Sequence, residues 1–131
     1  MRVFQNKSFQ RFARKSGIAE KDLCQAAFEA AAGNFDADLG GGVYKQRVAR
    51  KGGGASGGFR TILLLKEGTH VFLVYGFSKS SRPNITSKEL KGFRHLSDIL
   101  VALTDPQLDI AVKARELIEV FCNGESQEKA S

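Results

Sequence analysis

Apolar residues fall at helical spacing in the first third of the chain, lose that spacing through the middle, and recover it near the end. Residues 2–5, Arg-Val-Phe-Gln, predict a short strand. Asn6 then fits a helix N-cap, where a short polar side chain accepts from the free amides of the first turn. Phe9, Phe12 and Ala13 share one face of that helix, which should stop near Ser16-Gly17. A second helix is predicted over 19–32, with Leu23, Ala27 and Ala30 in register and Gly33 as its stop. The short connection between them predicts an antiparallel helix pair. After Gly40-Gly41-Gly42 the period drops to two. Over 43–49, Val43, Lys45, Arg47 and Ala49 fall on one face and Tyr44, Gln46 and Val48 on the other. A glycine-rich loop over 52–58 follows. Residues 59–65 are almost continuously apolar, the pattern of a strand covered on both faces. Lys66-Glu67-Gly68-Thr69 reads as a hairpin turn into another buried strand over 70–77.

Thr86-Ser87-Lys88-Glu89 has the form of a capping box and opens a helix to about Leu103, with Leu90, Phe93, Ile99 and Leu100 inward. Thr104-Asp105-Pro106 starts a last helix over 106–122, on which Leu108, Ala111, Ala114, Leu117, Ile118 and Phe121 fit helical spacing. Asn123-Gly124 should end it, leaving a frayed tail to Ser131. The order βααβββαα predicts an α+β domain: a small antiparallel sheet, made of a short N-terminal strand and a three-stranded meander, packed against the two N-terminal helices, with C-terminal helices beyond.

Length and composition narrow this further. A chain of 131 residues with 42% hydrophobic content supports one modest core. No apolar run approaches the roughly 18 residues of a membrane span, and the first residues lack the apolar stretch of a signal peptide; a cytoplasmic protein with no membrane partner is the expectation. Cys24 and Cys122 sit far apart without metal-ligand spacing. They are expected to be small apolar core residues rather than a disulfide or metal ligands. His70 and His95 have no carboxylate at a recognisable spacing, so structural or exposed roles are expected and no metal or other cofactor is called for.

The charge is uneven. From Lys45 to Arg94 the chain carries eleven cationic residues against Glu67 and Glu89, although the whole chain is only +6. Lys45, Arg47, Arg50, Lys51 and Arg60 cluster around the glycine loop with no acid among them. Such a cluster is either a solvated face or a site for a polyanion, and the convergence of two strand ends at one rim favours the polyanion. Lys79 and Arg82 follow the next strand toward the same rim. Gly52, Gly54 and Gly57 formally match a dinucleotide fingerprint, but a strand follows them and position 77 is Phe rather than an acid. The loop is then either a plain hairpin loop or one whose bare amides let a phosphate approach. Tyr44 and Tyr75 are core aromatics or edge residues able to stack on a base.

Tyr44 to Gly52, Ser56-Gly57-Gly58-Phe59-Arg60-Thr61-Ile62 and Phe72-Leu73-Val74-Tyr75-Gly76-Phe77-Ser78-Lys79 together resemble the RelE/HigB toxins of bacterial type II toxin–antitoxin systems. The resemblance spans about 2–103. It implies a toxin domain over 1–103 and leaves 104–131 as a C-terminal helical extension and tail. It also implies a metal-independent endoribonuclease that cleaves mRNA on the ribosome, inhibits translation, and is neutralised by a cognate antitoxin. In that chemistry the RNA's own 2′-hydroxyl attacks the phosphate, so the protein need only orient the strand, stabilise charge and move protons. By position, Arg60 would clamp the scissile phosphate. Arg50 and Lys51, with Arg47, would hold flanking phosphates and stabilise charge, and Lys79 or Arg82 would assist the leaving oxygen. Lys45, Arg47, Arg82 and Tyr75 would contact RNA. No general base is assured. The alternative is a non-nuclease toxin or nucleic-acid-binding module, such as a ParE-like gyrase inhibitor. Oligomeric state is not encoded legibly.

Overall fold

The computed structural model describes residues 1–48 and 58–122. The glycine loop, with Arg50 and Lys51, and the expected tail after Cys122 lie outside the described residues. In order, the elements are β1 (Arg2–Asn6), α1 (Lys7–Ser16), α2 (Glu20–Ala31), β2 (Ala37–Gly40), β3 (Val43–Val48), β4 (Phe59–Lys66), β5 (His70–Ser78), α3 (Ser87–Val101), α4 (Asp105–Lys113) and β6 (Leu117–Val120). The strands form one six-stranded sheet in the order β2-β3-β4-β5-β1-β6. The expected meander β3-β4-β5 is antiparallel, but the sheet is not antiparallel throughout as expected: β1 runs parallel to β5, because α1 and α2 intervene before the meander, and β6 returns antiparallel to β1.

The sheet is covered on both faces, which is why β4 is so apolar. Phe9, Leu23, Ala27, Val48, Leu63 and Leu73 form one core beneath α1 and α2. Phe4, Val43, Ile62, Leu64, Phe72 and Leu108 form the other, beneath α3 and α4. Two caps behave as their side chains predict. Asn6 Oδ1 accepts from the Phe9 N–H at 2.8 Å, and Thr86 with Glu89 closes a reciprocal capping box. Gly40, Gly41 and Gly42 all hold left-handed φ, from 66 to 84°. That run links β2 to β3 and lies against α3, where a Cβ on Gly42 would meet Ser97 Oγ at 2.6 Å.

Several expectations are corrected. The last helix does not run to Phe121. It ends at Lys113, and residues 117–120 form β6. Glu116 N–H donates to Ala111 O and Arg115 N–H to Val112 O, the paired bonds of a Schellman turn, with Arg115 at φ 61° where glycine is usual. Without that glycine, and with Leu117, Ile118 and Phe121 fitting either period, the stop was hidden. β2 was also missed, because a four-residue strand after a loop carries little pattern. Ile99 is not inward but 49% exposed. The third helix, expected beyond the sheet, covers its second face.

Cys24 and Cys122 are buried as expected but are joined as a disulfide, Cα to Cα 5.7 Å across a separation of 98 residues. Only the fold brings α2 beside the end of β6, so spacing gave no hint of the pairing.

Candidate functional site

The β3-β4-β5 meander sets the site. Arg47 on β3 lies directly opposite Arg60 on β4, and Arg60 opposite Phe77 on β5. One pleat along, Lys45, Ile62 and Tyr75 form the next row. Directly paired residues share a face, as do residues two apart on one strand. Lys45, Arg47, Arg60, Tyr75 and Phe77 therefore share the face that α3 partly covers.

A bulge makes this possible on β5. Leu63 pairs with Leu73 but Ile62 with Tyr75, so Val74 is the extra residue. Its carbonyl accepts from Asn6 Nδ2 at 3.1 Å. In a regular strand without the bulge, alternation would put Tyr75 and Phe77 on the face of Leu73 instead. Gly76 between them lies where a Cβ would come within 2.2 Å of the Phe12 ring, so α1 packs directly on the strand.

Arg60 is the central feature. It is 8% exposed, and its Nε pairs with Asp36 Oδ2 at 3.1 Å. Asp36 precedes β2, so the side chain crosses over β3 to reach it. Its Nη1 is buried and has no hydrogen-bond partner among the described residues. A buried donor left unsatisfied costs about 1–3 kcal/mol. Arg47, exposed and facing it, adds a like charge that would be unfavourable without Asp36. Neither Arg47 nor Lys45 makes a side-chain ion pair among the described residues.

Tyr75 and Arg82 form a second unit. Arg82 Nη1 donates to Tyr75 Oη at 2.9 Å, and its fork grips both oxygens of Glu89, at 3.0 and 2.6 Å. Glu89 raises the Arg82 pKa above its ordinary range, with Tyr75 adding to it. The Glu89 carboxyl is lowered to about 2, first by Arg82 and then by the Thr86 amide. The Tyr75 ring lies 6.0 Å from Phe77 and 5.7 Å from Phe93.

The structure thus brings together Arg60, Arg47, Lys45 and Tyr75. Lys79 lies exposed one residue after β5, at the same end of the meander. Arg82 is near but already occupied by Glu89. Arg50 and Lys51 lie outside the described residues. Asp36 was missed by sequence reasoning and carried no signal. Glu89 was read only as part of a cap, while Phe77 is buried in the core as its strand predicts.

The α+β fold thus presents on one sheet face a row of cations around a buried arginine with one nitrogen unpartnered among the described residues. Residues 1–120 match the RelE toxin of the RelE/RelB toxin–antitoxin system, and the chain belongs to that family. It is therefore a toxin of a toxin–antitoxin system, with a cognate antitoxin as its implied partner. No curated protein matches the chain.

Proposed function

We propose that this toxin is a metal-independent endoribonuclease of the HigB-like kind, cutting mRNA on the ribosome. One observation carries the reading: the buried Nη1 of Arg60, unpartnered among the described residues and set in a row with Arg47 and Lys45. An anionic oxygen brought to it would satisfy the donor and gain a charge-assisted bond. The reaction needs no protein nucleophile. The 2′-oxygen of the RNA attacks the adjacent phosphorus, the 5′-oxygen leaves, and a cyclic phosphate results. Arg60 stabilises the charge that grows on the phosphorane, and Asp36 fixes its guanidinium in advance, so little reorganisation accompanies the step. Arg47 and Lys45 hold the flanking backbone. Tyr75, half-buried beside the core residue Phe77, offers ring surface to a base. Lys79 is the cation placed to meet the leaving oxygen, because the fork of Arg82 is taken; Arg82 instead positions the Tyr75 hydroxyl.

The test is cleavage mapping on purified ribosomes carrying a defined message. Wild-type protein should cut within the coding region. Arg60→Ala should lower the single-turnover rate about 10²–10³-fold while the protein stays folded. Intact message with the wild-type protein, together with inhibited DNA supercoiling, would instead establish the gyrase-directed alternative.

A further inference from the structure

A phosphate held in the Arg60 row still needs a group that takes the proton from the 2′-hydroxyl. Most side chains that the sheet brings there cannot do so. Lys45, Arg47 and Lys79 are donors while charged. The Tyr75 hydroxyl accepts from Arg82 at 2.9 Å. Glu89 has both oxygens in the Arg82 fork. His70 stands at the far end of β5, opposite Lys66, with its Nε2 on Asp105 at 2.9 Å.

Asp36 differs from all of these. Its Oδ2 meets Arg60 Nε, and among the described residues its side chain makes no other hydrogen bond or ion pair. Oδ1 is left as an acceptor, on a side chain that is 27% exposed and so open to a substrate. The backbone fixes where it stands. The Asp36 N–H donates to Lys45 O at 2.9 Å, and the next residue, Ala37, pairs with Lys45 across the β2-β3 ladder. Arg94 on α3 holds the far end of β2 by the carbonyls of Leu39 and Gly40. The sheet order adds a direction. β2, β3, β4 and β5 lie side by side, so Asp36 approaches Arg60 from one side and Lys79, one residue beyond β5, from the other. Attack on phosphorus sets the entering and leaving oxygens roughly in line. A proton acceptor and a proton donor are then needed on opposite sides.

We propose that Asp36 is the general base of the cleavage, its Oδ1 taking the 2′-hydroxyl proton while Oδ2 stays on Arg60. This rests on the nuclease reading. As the bond from the 2′-oxygen to phosphorus forms, the proton of that hydroxyl passes to Oδ1. As the bond from phosphorus to the 5′-oxygen breaks, that oxygen takes a proton from the Lys79 ammonium. Water then removes the proton from Asp36 and another returns to Lys79, so the protein ends as it began. The products are a cyclic phosphate and a free 5′-hydroxyl. The other charged groups about Asp36 are Lys45 and Arg47 on β3, which share the Arg60 face, and Asp38 on β2, whose Oδ1 accepts from the Gly40 N–H at 2.9 Å.

The experiment compares Asp36→Asn with the wild-type chain on ribosomes carrying a defined message. The Asn oxygen can still accept from Arg60 Nε, so the arginine stays placed while the base is gone. Single-turnover cleavage should fall about 10²–10⁴-fold, with a residual rate that climbs with pH as hydroxide takes over the proton. Binding of a message with a 2′-deoxy nucleotide at the scissile position should be no weaker. Asp36→Glu should restore the wild-type pH dependence at a reduced rate. Asp36→Ser, which also leaves Nε an acceptor, takes the place of the Asn variant if that one does not fold. Cleavage by Asp36→Asn near the wild-type rate, with the wild-type pH dependence, would overturn the proposal and leave Asp36 a positioning residue for Arg60. Loss of deoxy-message binding in step with cleavage would overturn it likewise. A message left intact by the wild-type protein is a different result: it overturns the nuclease reading, and this assignment with it.

Discussion

Arg2 and Arg60 stand on neighbouring regions of one sheet and are treated in opposite ways. Arg2 on β1 bonds Glu119 through Nε and Nη2, both at 2.9 Å, Asp105 through Nη1 at 3.0 Å, and Asp109 through Nη2 at 2.8 Å. Its guanidinium also lies 4.9 Å from the Phe4 ring. Glu119 chiefly holds its pKa above the ordinary range, against the opposing effect of burial. Arg60 on β4 is more buried and yet has, among the described residues, one carboxylate, Asp36, and one unpartnered nitrogen. A cation that only had to stabilise the fold would be expected to resemble Arg2. On the proposed function, the difference separates charge spent on architecture from charge held for RNA. The first belongs to the end where α4 and β6 close the sheet, the second to the meander.

The largest effect should come from cutting the covalent tie at the architectural end. The Cys24–Cys122 bridge spans 98 residues, and a loop of that length limits the unfolded chain by about 4–5 kcal/mol on the loop-entropy account, with 2–5 commonly measured. Cys24→Ser with Cys122→Ser, or reduction of the wild type, should lower the urea midpoint accordingly. At temperatures where the protein stays folded, RNA cleavage should persist. Equal midpoints for oxidised and reduced protein would show that the bridge adds nothing.

Next come the two arginines themselves, as a crossed pair. Arg60→Ala should reduce cleavage about 10²–10³-fold, with little loss of stability, because the nitrogen it removes was partly unsatisfied. Arg2→Ala should do the reverse. It strands Glu119, whose side chain is only 11% exposed, and should cost about 3 kcal/mol in unfolding free energy while cleavage by the folded fraction is retained. If both substitutions damage stability and activity in the same proportion, the contrast drawn between the two ends is wrong.

Which parts of this contrast can be read in the sequence follows from how local each cause is. The caps at Asn6 and Thr86 depend on three or four adjacent residues and were legible. So was the two-sided burial of β4, because a continuous apolar run has one explanation in a sheet. That Arg47 and Arg60 stand on neighbouring antiparallel strands followed from two strands flanking one loop, but their direct pairing did not. What could not be read depends on distant chain segments. Asp36 meets Arg60 only because β2 joins the sheet beyond β3. Asp105 meets both Arg2 and His70, at 3.0 and 2.9 Å, only because α4 caps the end where β1 and β5 run parallel. Arg82 looked like a spare cation because Glu89, seven residues on, was already explained by its cap. β6 was hidden by Arg115 standing where glycine usually marks a helix end.

Acid should expose both ends in turn. The Asp105 carboxyl lies below its usual range, chiefly through His70 and then Arg2. That of Glu89 is lowered to about 2. A depressed carboxyl stabilises the fold above its unfolded pKa and loses that contribution as pH falls through the folded value. Stability should therefore fall between about pH 4.5 and 2 as Glu89 protonates, with Asp105 contributing from about 3.8 downward. In Glu89→Gln, the part of the acid transition between 4.5 and 2 should flatten, leaving the part due to Asp105 and other carboxyls. A melting profile indistinguishable from wild type across that range would mean that the Arg82–Glu89 grip contributes nothing to the fold.

The smallest effect tests whether the border between the two kinds of charge lies at Tyr75. Its hydroxyl accepts from Arg82, an arginine already satisfied by Glu89, while its ring shares a face with Arg60. Tyr75→Phe keeps the ring and the contacts to Phe77 and Phe93 and removes one hydrogen bond at a half-buried position. The loss in stability should be about 1 kcal/mol, because Arg82 keeps both Glu89 contacts and water can replace the phenol. If Tyr75 serves RNA through its ring alone, cleavage should hold near the wild-type rate and Tyr75→Ala should be markedly worse. If the phenol moves a proton in the reaction, Tyr75→Phe should already lose most of the activity. The pair of variants, measured by single-turnover cleavage over a pH series, therefore decides whether the Arg82–Glu89–Tyr75 chain ends as architecture or continues into the chemistry.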